Sequence, residues 1–203
     1  MSGYEIWIEV GGAIVAFLGG GAMAGNIILK RRKKKKKVRS QVEFERIHTQ
    51  VHEILTELRL NHDSARTSIV QFHNGGKYYD GTGMQRFSTT HESIAMGVSS
   101  TINTQQDILL TRYTEMLKHV AKDDASLMMV SEMPESNFRR YLDYNHVLAL
   151  SMIPIKDEFD TLTIGYLCSE WCSWTKTDQI KESKIKKDIE NARRLISVML
   201  SQK

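Results

Sequence analysis

Between positions 72 and 92 the chain reads FHNGGKYYDGTGMQRFSTTHE, a stretch with two histidines and a carboxylate beside the second. Its tail, Ser88, Thr89, Thr90, His91, Glu92 and Ser93, is a run of six hydrogen-bonding residues with no aliphatic side chain among them. Such a run at a strand end suits the mouth of a binding pocket. It equally suits the start of a helix, with Thr89 or Thr90 as N-cap, and capping is the stronger of the two readings. Acyl transfer would need a nucleophile on a strained elbow such as GxSxG and a base aimed at it. His91 and Glu92 next to Ser88 or Ser93 supply the composition without that arrangement. The expectation is therefore a binding site with no catalytic residue, in which His73, Asn74, Thr89, His91 and Glu92 are joined by Ser151 from a later strand. No enzyme activity and no particular cofactor is implied.

Metal and redox chemistry have thinner support. His73, His91 and His146 could meet across neighbouring strands, but lone histidines on strands are more often satisfied by local hydrogen bonds. His48 and His52 stand one helical turn apart, yet lack a third ligand and the glutamate placement of HExxH, so the expectation for them is a solvent-facing position. Cys168 and Cys172, in CSEWC, are too few for a disulfide framework and have no second pair to complete a metal site. They read as reduced thiols on or just after a strand. No metal site is expected.

These residues need elements to hold them. ARTSIVQFH (65–73) and GMQRFSTT (83–90) have strand character, and Asn74-Gly75-Gly76 and Asp80-Gly81 between them supply the positive-φ positions of turns. Residues 107–123 have helical spacing, 127–133 are apolar and strand-like before Pro134, and 135–145 suit a short helix. HVLALSMIPIK (146–156) and TLTIGYLCSEW (161–171) form a strand pair around the turn DEFD. Strands of this kind interleaved with helices indicate an α+β domain with an antiparallel sheet over residues 64–175.

Two amphipathic segments flank it. Over residues 38–63, Phe44, Ile47, Val51, Ile54 and Leu58 recur at spacings of 3, 4, 3 and 4. Over residues 176–203, Ile185, Ile189, Ala192, Ile196 and Met199 recur at 4, 3, 4 and 3. Such narrow seams suit a coiled-coil dimer, or packing on the chain's own domain.

The segment 144–171, YNHVLALSMIPIKDEFDTLTIGYLCSEW, resembles the C-terminal half of GAF domains. There a strand ends in a Val/Ile-Pro-Ile step, turns, and returns as Ile-Gly-x-Leu. Here these are Ile153-Pro154-Ile155 and Ile164-Gly165-Tyr166-Leu167. The order of elements over roughly 40–203 fits as well, and PAS domains share the architecture. The resemblance implies a small-molecule sensor or dimerisation module with a pocket between the sheet and its covering helices. It names no ligand. The NKxnFxxxDE pattern of cyclic-nucleotide-binding GAF domains is missing, and the cysteines fall late, away from the phytochrome attachment position and unlike those of the methionine-sulfoxide reductases.

The N-terminal forty residues are a different material. Residues 6–29, IWIEVGGAIVAFLGGGAMAGNIIL, would extend about 36 Å as a helix at 1.5 Å per residue, enough for a hydrocarbon core of roughly 30 Å. Six glycines weaken a helix in water, but lipid leaves an open chain no other way to satisfy its backbone. Behind the span come Lys30, Arg31, Arg32, Lys33, Lys34, Lys35, Lys36 and Lys37. The chain holds 28 Lys and Arg; without these eight, 20 remain against 24 Asp and Glu. The net charge of +4 thus belongs to one block, and the acidic body argues against a nucleic-acid partner. The positive-inside rule puts residues 1–5 outside and the body in the cytoplasm at the inner membrane, with the block on anionic lipid headgroups. Gly12, Ala16, Gly20 and Ala24 form a small-residue stripe along which two spans could associate.

The expectation is a single-pass, membrane-anchored, cytoplasmic GAF-like sensor or interaction module, homodimeric, with no output domain of its own. Its signal would leave through a downstream protein partner. The alternative is a holin-like or scaffolding membrane protein, phage-encoded in type, whose glycine-rich span oligomerises.

Overall fold

The structure is a computed structural model that describes residues 41–78, 81, 83–157, 159–173 and 182–201. The expected span at 6–29, the basic block at 30–37, Asp80 and the first residues of the terminal segment 176–203 lie outside them. Among the described residues no helix is long and apolar enough to cross a membrane.

Chain order runs α1 (Gln41–His62), β1 (Arg66–Lys77), β2 (Gly83–Ile94), β3 (Ile108–Leu109), a 3-10 turn (Leu110–Tyr113) and α2 (Thr114–Val120). It continues through β4 (Leu127–Met129), a second 3-10 turn (Val130–Glu132), α3 (Asn137–Tyr144), β5 (Ala149–Lys156), β6 (Thr163–Trp171) and α4 (Glu182–Ser201). The six strands form one sheet in the order β3-β2-β1-β6-β5-β4, antiparallel at every pairing. This is the α+β, antiparallel arrangement expected from the sequence. Residues 107–123 depart from expectation: the helical spacing is realised only from Thr114, because Ile108 and Leu109 pair with Phe87 and Arg86 as an edge strand. Residues 88–94 depart as well. No helix follows Thr89 or Thr90, because both continue β2.

The sheet separates two cores. On one side Ile47, Val51, Leu55 and Leu58 of α1 meet Ile185, Ile189, Ala192 and Ile196 of α4 over Ile69, Ile153, Leu167 and Trp171. Most residues of the two sequence seams are consumed here, inside one chain, each fully buried aliphatic contributing about 1.5–3 kcal/mol. Phe44, at the head of the first seam, is left 54% exposed. On the other side Val70, Phe87, Leu150, Met152, Tyr166 and Cys168 of the strands are covered by Met116 and Val120 of α2 and by Phe138 and Leu142 of α3.

Two sequence features of β5 and β6 have clear causes. β4 pairs with β5 only as far as Ser151, so Pro154 sits where β5 has a partner on one side alone and its missing N–H costs little. Gly165 lies against β1, where a Cβ would overlap the Val70 carbonyl oxygen. At the far end of β1, Gly76 (φ +114°) supplies the left-handed conformation the irregular strand end requires.

Candidate functional site

A single extra residue in β2 organises the site. β1 and β2 pair Ile69 with His91 and then Val70 with Thr89, leaving Thr90 unpaired as a bulge. Side chains alternate along a strand, so the bulge shifts the parity of everything beyond it. Thr89 and Glu92 therefore face the α2–α3 side, while His91 and Ser93 face α1.

On the α2–α3 side Arg66, only 2% exposed, is surrounded by acceptors. One guanidinium nitrogen contacts Glu170 Oε2, and Nη2 donates to Ser99 O at 2.7 Å. Nε lies 3.2 Å from Glu92 Oε1, an ion pair without hydrogen-bond alignment. Glu92 in turn accepts from Thr101 N at 2.9 Å, Thr101 Oγ1 at 2.7 Å and the Ser100 hydroxyl. Burial pulls the Arg66 pKa down, but the charges of Glu170 and Glu92 reverse this and leave it raised. Burial raises the Glu170 carboxyl pKa, against the pull of Arg66. Loss of Arg66 would leave two buried carboxylates without a counter-charge, the costly way to break such a cluster.

Above this cluster opens a cleft of about 720 Å³. Arg66 forms part of its floor, residues 97–100 with Thr104 and Gln105 one wall, and Tyr113, Tyr141 and the Asn145–His146 turn the other. The rings of Tyr113 and Tyr141 stand at 87° to one another with centroids 6.1 Å apart, which makes an apolar corner. Tyr141 has its pKa raised, first by burial and then by the charge of Glu170. Gln105 is held by Thr89, whose hydroxyl donates to Gln105 Oε1 at 2.8 Å. His146, at φ +57°, and Cys172 complete the rim. Burial raises the Cys172 thiol pKa as well.

On the α1 side the geometry is of another kind. His91 Nε2 lies 2.7 Å from Nδ1 of His48, and Ser93 Oγ accepts from Arg59 Nε at 3.2 Å and meets Thr56 Oγ1 at 3.1 Å. These contacts fasten α1 to β2. Burial, then the charges of His48 and His52, depress the His91 pKa to about 4. His48 is therefore half-buried and bonded, where the sequence suggested a solvent-facing position; His52 is exposed.

The sequence-selected residues fall in four places. Thr89 and Glu92 stand directly behind the cleft, through Gln105 and Arg66 respectively. His91 faces α1. His73, exposed, shares a 2.9 Å hydrogen bond with Ser88 Oγ near the exposed Asn74. Ser151, fully buried, donates to Ala125 O at 2.6 Å. The structure does not bring these six together. The residues that line the cleft carried little sequence signal: Arg66 is one polar residue at the start of a strand, 97–105 is an irregular segment, and Tyr113, Tyr141 and Asn145 lie 19 or more residues beyond the end of β2 and approach its neighbourhood only in space. His73, His91 and His146 do not converge, and among the described residues no three His, Cys, Asp or Glu stand together as a metal site.

No protein-family model matches the sequence, and no curated protein does. Solved structures do. The phycocyanobilin-bound GAF domain of a cyanobacterial phytochrome aligns with TM-score 0.56 at 14% identity, over 90% of this chain and 93% of its own. A far-red cyanobacteriochrome photoreceptor aligns with TM-score 0.55 at 12% identity, over 90% and 97%. The blue-light absorbing form of the Thermosynechococcus elongatus PixJ GAF domain gives 0.53 at 12%, over 80% and 92%. At these identities the likeness concerns the fold, and the fold is GAF-like.

Proposed function

We propose that the chain is a GAF-like sensor that takes a small molecule into the cleft over Arg66 and is held at the inner membrane by its N-terminal segment. The cleft carries this reading. Its volume falls within the ~300–1,000 Å³ of small-molecule sites, and it joins an aromatic corner to a few fixed polar groups. The similar GAF domain that holds phycocyanobilin supports it, since that ligand shows what such a fold admits. The Arg66 guanidinium is already engaged by Glu170, Glu92 and Ser99 O, so the ligand's contacts come from Gln105, the 97–100 backbone and the tyrosine rings. Residues 6–29 serve as the span and Lys30 to Lys37 as a collar on anionic headgroups. The stripe from Gly12 to Ala24 pairs two spans, and a protein partner receives the signal. No chemical step is assigned to the site.

The test is native mass spectrometry of the full-length protein, taken from its own host's membranes into detergent. A bound small molecule that is lost in Tyr141→Ala supports the reading. A mass equal to the bare chain, with no thermal shift across a metabolite library, overturns it.

A further inference from the structure

His48 and His91 come from different elements, 43 residues apart, and meet nitrogen to nitrogen at 2.7 Å. Their ring planes differ by 12° and their centroids lie 4.9 Å apart. That separation is the nitrogen–nitrogen distance plus one ring radius at each end, so the imidazoles lie edge to edge rather than face to face. One lone pair is thereby aimed along the line between them.

The orientation of His91 is fixed from behind. Its Nδ1 lies 3.0 Å from Thr90 Oγ1, and that hydroxyl is itself directed at Ile69 O, 3.4 Å away. With its proton spent on the carbonyl, the Thr90 oxygen accepts from His91 Nδ1–H, leaving Nε2 as the bare nitrogen facing His48. This is the outer-shell arrangement that sets the tautomer and ring angle of metal-bound histidines. A third imidazole, His52, is exposed and stands one helical turn from His48, and residues at this spacing share a helix face.

We propose that His48 Nδ1 and His91 Nε2 are ligands of a nitrogen-preferring transition-metal ion of the Zn²⁺ or Ni²⁺ class, with His52 rotating in as the third. The described side chains do not hold a three-ligand set as they stand. Three adjustments create it. The His48 and His91 rings, now edge to edge on one line, must each tilt so that their lone pairs converge on an ion off that line. The nitrogen pair must open from 2.7 Å to about 3.3 Å, the spacing of two tetrahedral ligands at ~2.0–2.1 Å from zinc. His52 must turn its ring toward the pair. The proton shared by His48 and His91 moves to His48 Nε2, so two neutral imidazoles present lone pairs to the ion and no co-reactant is needed. A bound ion would tie α1 to β2 on the face of the sheet opposite the cleft, and so does not depend on the ligand reading above.

The experiment titrates untagged full-length protein in detergent with ZnCl₂, with MgCl₂ as control, reading calorimetric stoichiometry and melting temperature. One Zn²⁺ per chain is expected, with a rise in melting temperature and no response to Mg²⁺. His91→Gln and His48→Gln should each weaken binding by more than the ~10–100-fold that loss of an outer-shell partner costs, and His52→Gln should weaken it less than either. The double variant Cys168→Ser/Cys172→Ser should bind as the wild type does. Should His91→Gln fail to fold, half-exposed His48 carries the comparison. Wild-type chain that binds no Zn²⁺, or binds it as tightly after His48→Gln, overturns the assignment, as does binding that disappears with the cysteines.

Discussion

Gly165 on β6 stands against Val70 on β1 so closely that its missing side chain is what allows the two central strands to pair. A Cβ there would overlap the Val70 carbonyl oxygen and press on the Gln71 Cα at 3.0 Å. All of these are backbone atoms, so no rotamer change relieves the contact. Gly165→Ala should cost about 1–3 kcal/mol or more, in the range of overpacked cores. Gly83→Ala is the control, since nothing lies within 4 Å of its Cβ position, and should stay within about 0.5 kcal/mol of wild type. Urea midpoints of the two variants decide the matter. Equal midpoints would show that β1 and β6 can separate without loss.

Arg66 makes the second prediction. Replacing it with Met leaves Glu92 and Glu170 facing one another in a dry site, and the expected loss is about 3–5 kcal/mol. The triple variant Arg66→Met/Glu92→Gln/Glu170→Gln removes the surplus charge and should recover most of it. Denaturant titration of both checks this. A triple variant no better than Arg66→Met alone would mean that the lost donation to Ser99 O, and not the stranded charge, sets the cost.

These two residues also mark what the sequence could and could not disclose. The Ile-Gly-Tyr-Leu strand was legible because close approach demands glycine, and period-two and period-3.5 patterns located β5, β6, α1 and α4. The division of labour in β2 was hidden. Six polar residues in a row look alike in sequence, and the bulge at Thr90, which sends Thr89 and Glu92 one way and His91 the other, is one unpaired residue set by tertiary pairing. Arg66 and Glu170 are 104 residues apart, so no local pattern announces that they meet. Helical spacing over 107–123 likewise yielded at Ile108 and Leu109 to the demand of β2 for an edge partner.

Stability toward acid should depend on buried imidazoles. His62, His91 and His119 all have pKa values lowered first by burial. Between each folded value and the ordinary 6.5 the unfolded chain binds a proton that the folded chain refuses, so stability falls as pH drops below about 6.5. Glu170, whose folded pKa is raised, contributes the opposite slope at acid pH. Neither ring nitrogen of His119 meets a hydrogen-bond partner among the described residues, so His119→Leu removes a desolvated imidazole without stranding another group. This variant should equal or exceed wild type at pH 7 and lose less between pH 7 and pH 5. Urea midpoints at the two pH values test it; parallel losses would show that His119 takes no part.

The anchor proposed for residues 6–29 makes a prediction about orientation that solubility alone would not. The collar from Lys30 to Lys37 is the feature that sets which end stays inside. In spheroplasts, protease added outside should leave the domain from Gln41 onward intact. Changing the eight collar residues to Gln, and Ser2, Gly3 and Tyr4 to Lys, reverses the charge asymmetry while leaving the span untouched. A substantial share of that variant should then become cleavable from outside, while both proteins stay with the membrane through an alkaline wash. Wild-type chain released by the wash would mean that the segment does not span. Retention with unchanged protection would mean that something other than the collar fixes the orientation, and the ~1 kcal/mol per charge expected of lysines at an anionic surface would then act on docking the domain, not on insertion.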